Sequence, residues 1–158
     1  MGDIEFVHLH QIEEDRIIDL MNDEMVGKQL PLLGGGFSRD QCRAFLKSKQ
    51  QFWDEYGFGP WAFIIHGEFA GWGGLQPEQG EADFGLVLHR KFWGWGRRIF
   101  VQVKEQAFNE MNLGSIIILL PPSRTKLKAV TRLGFVKDGQ LVVDGAAFNK
   151  FRLTNPER

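Results

Sequence analysis

The chain reads as an α/β protein built on a mixed, mostly antiparallel sheet of about six or seven strands. Three observations say so. The pattern of apolar residues gives the order β-α-α-β-β-β-α-β-α-β-β. Three strand-length runs rich in β-formers follow one another between residues 61 and 89, split only by turn residues, as in an antiparallel meander. Strand, helix and strand then succeed one another across residues 82 to 120, which calls for a parallel pair joined by a right-handed crossover.

Each element has a local reason. Ile4 to Leu9 alternate as a first strand, and "QIEEDRIIDLMND" has helical spacing. "PLLGGGF" breaks the pattern; Ser38 and Gln41 have capping-box spacing and open a helix predicted to run to about Glu55, ended by "GFGP". The meander is "WAFIIH", "EFAGWGGL" and "ADFGLVLH", divided at His66-Gly67 and at residues 76–80. From Trp95, Phe100, Val103, Ala107 and Met111 mark one face of a central helix that stops at Gly114. "SIIILL" is a buried strand by composition, and Ser123 is placed to cap a short helix ending at Leu133-Gly134. Phe135 to Val143 and Ala147 to Leu153, joined through Asp144-Gly145, form a closing hairpin.

At 158 residues this is a single domain, 1–158, and one of that size buries roughly 70% of its unfolded surface. A net charge of -1 speaks against nucleic acid as a partner, so a basic cluster has a local purpose. The lone Cys42 excludes an internal disulfide and fits a reducing compartment, with cytoplasm the default. The longest aliphatic run, Ile116 to Leu120, is too short to cross a membrane, and the N-terminus has neither a signal-peptide pattern nor a myristoylation site, Phe6 standing where Ser or Thr is needed.

The informative stretch is "RKFWGWGRR", residues 90–98. Gly94 and Gly96 stand where the chain passes from strand into helix. Such a passage directs free N–H groups at one spot, and glycine lets an anion approach the backbone. Read structurally, the glycines only make a tight turn. Arg97 and Arg98, however, occupy a helix start, where a cation costs on the order of 0.3–1 kcal/mol and an acid stabilises. With Arg90 and Lys91 they point to a bound anion, a solvated basic surface being the other reading. The dinucleotide fingerprint fails because Ile99 occupies its third glycine position, which disfavours an NAD-type oxidoreductase, and no P-loop lysine follows "LGGGFS".

"VLHRKFWGWGRRI", followed by "LGFVKDG", resembles the GNAT superfamily of acetyl-CoA-dependent N-acetyltransferases, most closely the branch that acetylates the N-terminal amine of ribosomal proteins. The family's Gln/Arg-x-x-Gly-x-Gly/Ala motif is matched by Lys91, Gly94 and Gly96, and the aromatic pair Phe92-Trp93 is characteristic of the branch. The resemblance covers nearly the whole chain. It implies a twisted sheet with helices on both faces and a central parallel pair splayed at the coenzyme site. It also implies that Trp93, Gly94, Trp95, Gly96, Arg97 and Arg98 cradle the coenzyme phosphates, and that the strand edge at Val87 and Leu88 pairs with pantetheine.

Acetyl transfer to an amine requires a base, an oxyanion donor and a proton for the thiolate. Asp83 aligns with a glutamate of this branch and shares a strand face with Gly85 and Val87; Glu81, on the same face, is the reserve. Either can equally be a solvated carboxylate. The superfamily's usual acid, a tyrosine, is replaced by Val130, and Ser123 stands at a family asparagine, where it could donate to the thiolate. His8 and His10 lie two apart without an evident third metal ligand, so no metal is expected, and His89 could relay a proton or simply flank a turn. Trp53, Trp61 and Trp72 could line an acceptor pocket or fill the core. The expected protein is a cytoplasmic acetyltransferase, monomer or homodimer, acting on acetyl-CoA and an amine acceptor, a protein N-terminus or a small molecule. The alternative is a non-catalytic acyl-CoA sensor of the same fold.

Overall fold

The computed structural model describes residues 3–27 and 36–157. The break "PLLGGGF" therefore lies mostly outside the described residues. One seven-stranded sheet organises the rest, in the order β1-β2-β3-β4-β5-β7-β6. The strands are β1 (Ile4–Val7), β2 (Pro60–Ile65), β3 (Glu68–Glu78), β4 (Glu81–Leu88), β5 (Ser115–Leu120), β6 (Val136–Val143) and β7 (Ala146–Thr154), and the helices are α1 (Glu14–Met21), α2 (Glu24–Gly27), α3 (Arg39–Tyr56), α4 (Gly96–Glu105) and α5 (Lys128–Arg132). Every neighbouring pair is antiparallel except β4 with β5.

Three hairpins turn on two residues each. His66-Gly67, Gln79-Gly80 and Asp144-Gly145 all have positive φ, 52° and 78°, 49° and 83°, 49° and 81°. Two consecutive left-handed residues make the turn whose twist matches the strands it joins. The second of these corrects the expected break at 76–80: the ladder runs through Pro77, paired with Ala82, and only Gln79 and Gly80 turn. β1 likewise ends at Val7, so His8 is not on a strand but precedes a 3₁₀ turn, Leu9–Gln11.

α3 begins as its sequence requires. The Ser38 hydroxyl accepts the Gln41 amide, the Gln41 side chain accepts the Ser38 amide, and Gly57 closes the helix in the left-handed conformation at φ 77°. The short α5 starts differently from expectation. Its N-cap is Leu127, and Ser123 lies four residues earlier in an exposed turn, capping nothing. A turn explains the delay: the Arg124 amide donates to the Pro121 carbonyl at 2.9 Å, with Pro122 and Ser123 as its central residues, so Ser123 is taken up before the helix begins.

The core has two parts, one on each sheet face. Phe63, Leu75, Phe100, Val103, Ile116 and Val130 pack under α4 and α5, and Ile17, Leu20, Cys42, Ala62 and Phe69 pack under α1 and α3. β4 serves both: Ala82, Phe84, Leu86 and Leu88 join the first cluster, and Val87 the second. Alternation therefore turns Asp83, Gly85 and Val87 toward α3. No helix among the described residues is long and apolar enough to cross a membrane.

Candidate active site

The parallel pair at the centre of the sheet is held at one rung only. β4 has eight residues and β5 six, yet they register at a single position, Asp83 with Ile117. Beyond Asp83 the strands diverge, and the edge from Gly85 to Leu88 has no strand partner on the β5 side. The splay expected of this fold is thus located, and Asp83 stands at its apex.

A cavity of about 220 Å³ opens on the α3 side of that apex, walled by Trp72, Gly74 and Gln76 of β3 and by Asp83, Gly85 and Val87 of β4. Its floor is open because Gly85 carries no side chain, and a Cβ there would meet nothing within 4 Å. Trp72 is fixed by its indole N–H, which donates to Met21 Sδ at 3.4 Å. Of the three tryptophans considered from sequence, only Trp72 lines this cavity. Trp61 is buried in the core, and Trp53 packs on it while donating to the Pro60 carbonyl at 3.0 Å.

Asp83 and Glu81 sit in opposite electrostatic settings. Burial, and then the nearby Glu78 carboxylate, push Asp83 up to about 7. Glu81 is held below the usual carboxylate range, first by hydrogen bonds from Arg152 at 2.6 and 2.7 Å and also by Lys150 at 3.4 Å. A carboxylate committed to a bidentate guanidinium is a poor proton acceptor. Arg152 in turn bonds Ser115 and Asp138, so Glu81 links β4 to β7 across β5. Glu81→Gln is accordingly expected to lower stability by about 1–3 kcal/mol and to leave the pH dependence of turnover in place. Because Glu81's folded pKa is depressed, its contribution is present above the ordinary carboxylate pKa and fades as pH falls through the lowered value, so the stability gap to wild type should close in acid melts.

The passage into α4 differs from a simple turn. Residues Arg90–Trp95 form a 3₁₀ stretch that continues directly into α4 at Gly96, and no side chain caps it. Gly96 has ordinary helical angles, φ -54° and ψ -43°, and Gly94 is not among the residues of positive φ. A Cβ on Gly94 would meet nothing within 4 Å, and one on Gly96 only Leu86 Cδ1 at 3.7 Å. Neither glycine is required by backbone conformation or by packing, which removes the tight-turn explanation and leaves close approach by an outside group.

The cations divide. Lys91 Nζ bonds Glu68 at 2.7 Å and Arg90 reaches Asp23 at 3.8 Å, whereas Arg98 lies 4.5 Å from the Trp95 ring centroid and Arg97 has no ion-pair partner among the described residues. Trp93 is 41% exposed, and its indole N–H donates to the Leu88 carbonyl at 2.9 Å. That carbonyl faces the open side of β4, whereas Val87, paired with Trp72 two rungs from the hydrogen-bonded Ala70–His89 pair, turns its own backbone groups toward β3.

Other expectations resolve by position. Ser123 is exposed, and no hydrogen bond of its side chain is found. Val130 is buried in the core, and Tyr56, the sole tyrosine, is 54% exposed at the end of α3. His89 packs on Phe69 beside a charged cleft with Arg16, Asp23 and Glu68, and burial lowers its pKa. His8 and His10 stack at 5.6 Å, and no group of three metal-ligating side chains is found among the described residues. Cys42 is fully buried and its thiol is pushed up by desolvation, which makes it a poor nucleophile.

Sequence reading missed Lys49. On a long helix facing solvent for much of its length a lysine reads as surface, but its ammonium is folded onto the sheet, donating to Gln76 Oε1 at 2.8 Å and lying 5.2 Å from the Trp72 ring centroid. Burial brings it down to about 8, with Glu78 acting in the opposite sense. The aromatic spacing of Phe45 and Phe52 around it on α3 was the available signal.

Comparisons agree with this geometry. Among solved structures, an acetyltransferase from Agrobacterium tumefaciens superposes with a TM-score of 0.74 at 19% identity, covering 96% of this chain and 91% of that one. A Vibrio cholerae structure whose name proposes a ribosomal-protein-serine acetyltransferase gives 0.71 at 15%, covering 98% and 95%. A mutant of the spermidine N-acetyltransferase from Vibrio cholerae gives 0.68 at 14%, covering 99% and 96%. No curated protein matches the chain. The acetyltransferase (GNAT) domain family matches residues 5–136, from the first strand through the start of β6, and the chain therefore belongs to the GNAT family of acetyl-CoA-dependent N-acetyltransferases.

Proposed function

We propose that the chain, acting as one domain, transfers acetyl directly from acetyl-CoA to a primary amine held in the Asp83 cavity, with Asp83 as the general base. The observation that carries this reading is the coincidence at Asp83 of the single parallel rung, the cavity wall and a carboxyl pushed up to about 7. A base with a pKa near the working pH accepts a proton and gives it up again with little penalty. A module that only senses acyl-CoA has no use for such a group.

Gly94 to Arg98 receive the phosphates in this reading, with Arg97 and Arg98 neutralising them and Trp93 giving an exposed face beside them. The open edge of β4 at Val87 and Leu88 lies along the pantetheine arm, and the cavity beyond takes the acceptor. Ser123, exposed beyond β5, has no role assigned by its contacts. The acceptor is a protein N-terminus or a small-molecule amine; the named neighbours span both, a ribosomal protein in one case and spermidine in another. Cytoplasm is the compartment that fits a single buried thiol, and the unit is a monomer or homodimer.

Release of coenzyme A across a panel of amines tests the reading, with the pH profile repeated for amines of different basicity. A limb near pH 7 common to all of them belongs to the protein. A second test separates ligand from fold. Gly94→Ala meets no neighbour and no positive φ, so it should leave the ligand-free unfolding midpoint unchanged or raise it, in line with about 0.4–1 kcal/mol for such a replacement, while weakening acetyl-CoA binding. A variant that binds acetyl-CoA like wild type would remove Gly94 from the site.

A further inference from the structure

The proposed reaction leaves one half-buried amine of the protein itself unused. Lys49 Nζ lies 5.4, 5.4 and 5.2 Å from the ring centroids of Phe45, Phe52 and Trp72 and donates to Gln76 Oε1 at 2.8 Å. Lysines ordinarily bury the stem and keep the ammonium in water; here the head is drawn inward. Two of its four contacts, Trp72 and Gln76, are walls of the Asp83 cavity. Gln76 is moreover the cross-strand partner of Asp83, and Cβ atoms in such a pair stand about 5 Å apart. A long, flexible stem therefore holds an amine one side chain away from the base. Desolvation also brings this ammonium down to about 8, so an appreciable neutral fraction exists near neutrality.

We propose that Lys49 is a self-acceptor, acetylated by its own chain when no outside amine fills the cavity. The Nζ lone pair forms the new C–N bond to the acetyl carbonyl, and the C–S bond breaks. The nitrogen gives up one proton, through Asp83, and the departing thiolate takes up one, so the products are acetyl-lysine and free coenzyme A thiol with no redox change. The product is neutral and bulkier. It gives up the attraction of the three rings for a cation and adds an acetyl group beside Trp72, which narrows the cavity. The inference rests on the role proposed for Asp83.

The full chain is incubated with acetyl-CoA and no amine, and acetylation is followed by intact mass and peptide mapping in wild type and in Asp83→Asn, with coenzyme A release to an amine panel measured alongside. Lys49 should be acetylated at least about tenfold faster than exposed Lys47 on the same helix, and Asp83→Asn should abolish that advantage. Lys49 left unmodified while an outside amine is turned over overturns the self-acceptor and leaves the proposed function standing. Equal rates at Lys47 and Lys49, or no effect of Asp83→Asn, reduce the modification to chemical acetylation and overturn it as well. Neither turnover of any amine nor acetylation of Lys49 overturns the proposed function together with it.

Discussion

Replacing Arg97 and Arg98 together by glutamate is expected to weaken acetyl-CoA binding at least about tenfold, or 1.4 kcal/mol, while leaving the ligand-free protein as stable as before or slightly more so. The two halves of this prediction come from the same place. Lys91 and Arg90 already face Glu68 and Asp23, which leaves Arg97 and Arg98 as the cations of the Gly94 turn without a carboxylate partner among the described residues. Both are exposed on the first turn of α4, so neither supports the core. A helix start favours acids by about 0.3–1 kcal/mol, and the reversal corrects an unfavourable charge. Loss of binding with a retained or raised unfolding midpoint is a combination that misfolding cannot produce. Calorimetric titration and thermal unfolding with and without acetyl-CoA read both halves. An unchanged affinity would mean that the arginines serve something other than the coenzyme.

Asp83→Asn is expected to slow turnover by about 10²–10⁴, the usual contribution of a positioned base, and to remove the rise in rate as pH climbs through about 7. Its effect on stability has the opposite sign. An acid whose folded pKa lies above its unfolded value binds its proton more tightly when folded, so stability falls between the ordinary carboxylate range and pH 7. The amide does not titrate and escapes that loss, so the variant should be more stable than wild type above pH 7, by up to about 4 kcal/mol for a shift of this size. Thermal melts at pH 5 and pH 8 test it: the gain should appear at the higher pH and shrink at the lower. A carboxylate kept for chemistry at the expense of stability has this signature, whereas a carboxylate kept for structure destabilises when removed.

What was legible in the sequence followed from local rules. Two turn pairs, His66-Gly67 and Asp144-Gly145, and the Ser38 to Gln41 spacing name their own structures because the interactions span two to four residues. Alternation alone put Asp83, Gly85 and Val87 on one face. The misses are nonlocal or depend on competition between signals. Ser123 is a good cap by type, but the turn closed from Arg124 to Pro121 takes it up, and the helix starts only after Leu127. Glu81 resembled Asp83 from sequence and differs because Arg152, 71 positions away, arrives on β7. Lys49 looked solvated because the rings that hold it come partly from another element, Trp72 on β3. Charge settings that decide which carboxylate works are made by such distant partners, and no window along the chain contains them.

The single rung between β4 and β5 has a consequence for how the protein lives on its cosubstrate. A sheet that closes elsewhere by full ladders and here by one pair is two leaves on a narrow spine, with amides beyond the spine left to exchange with solvent. In the proposed reading the pantetheine arm lays its amides along the β4 edge beyond Asp83 and takes the place of the missing strand. Binding then finishes the fold as well as starting the reaction, and the rigidity of the sheet follows the supply of acetyl groups: firm when the acetylated coenzyme is plentiful, loose along its midline when it is scarce.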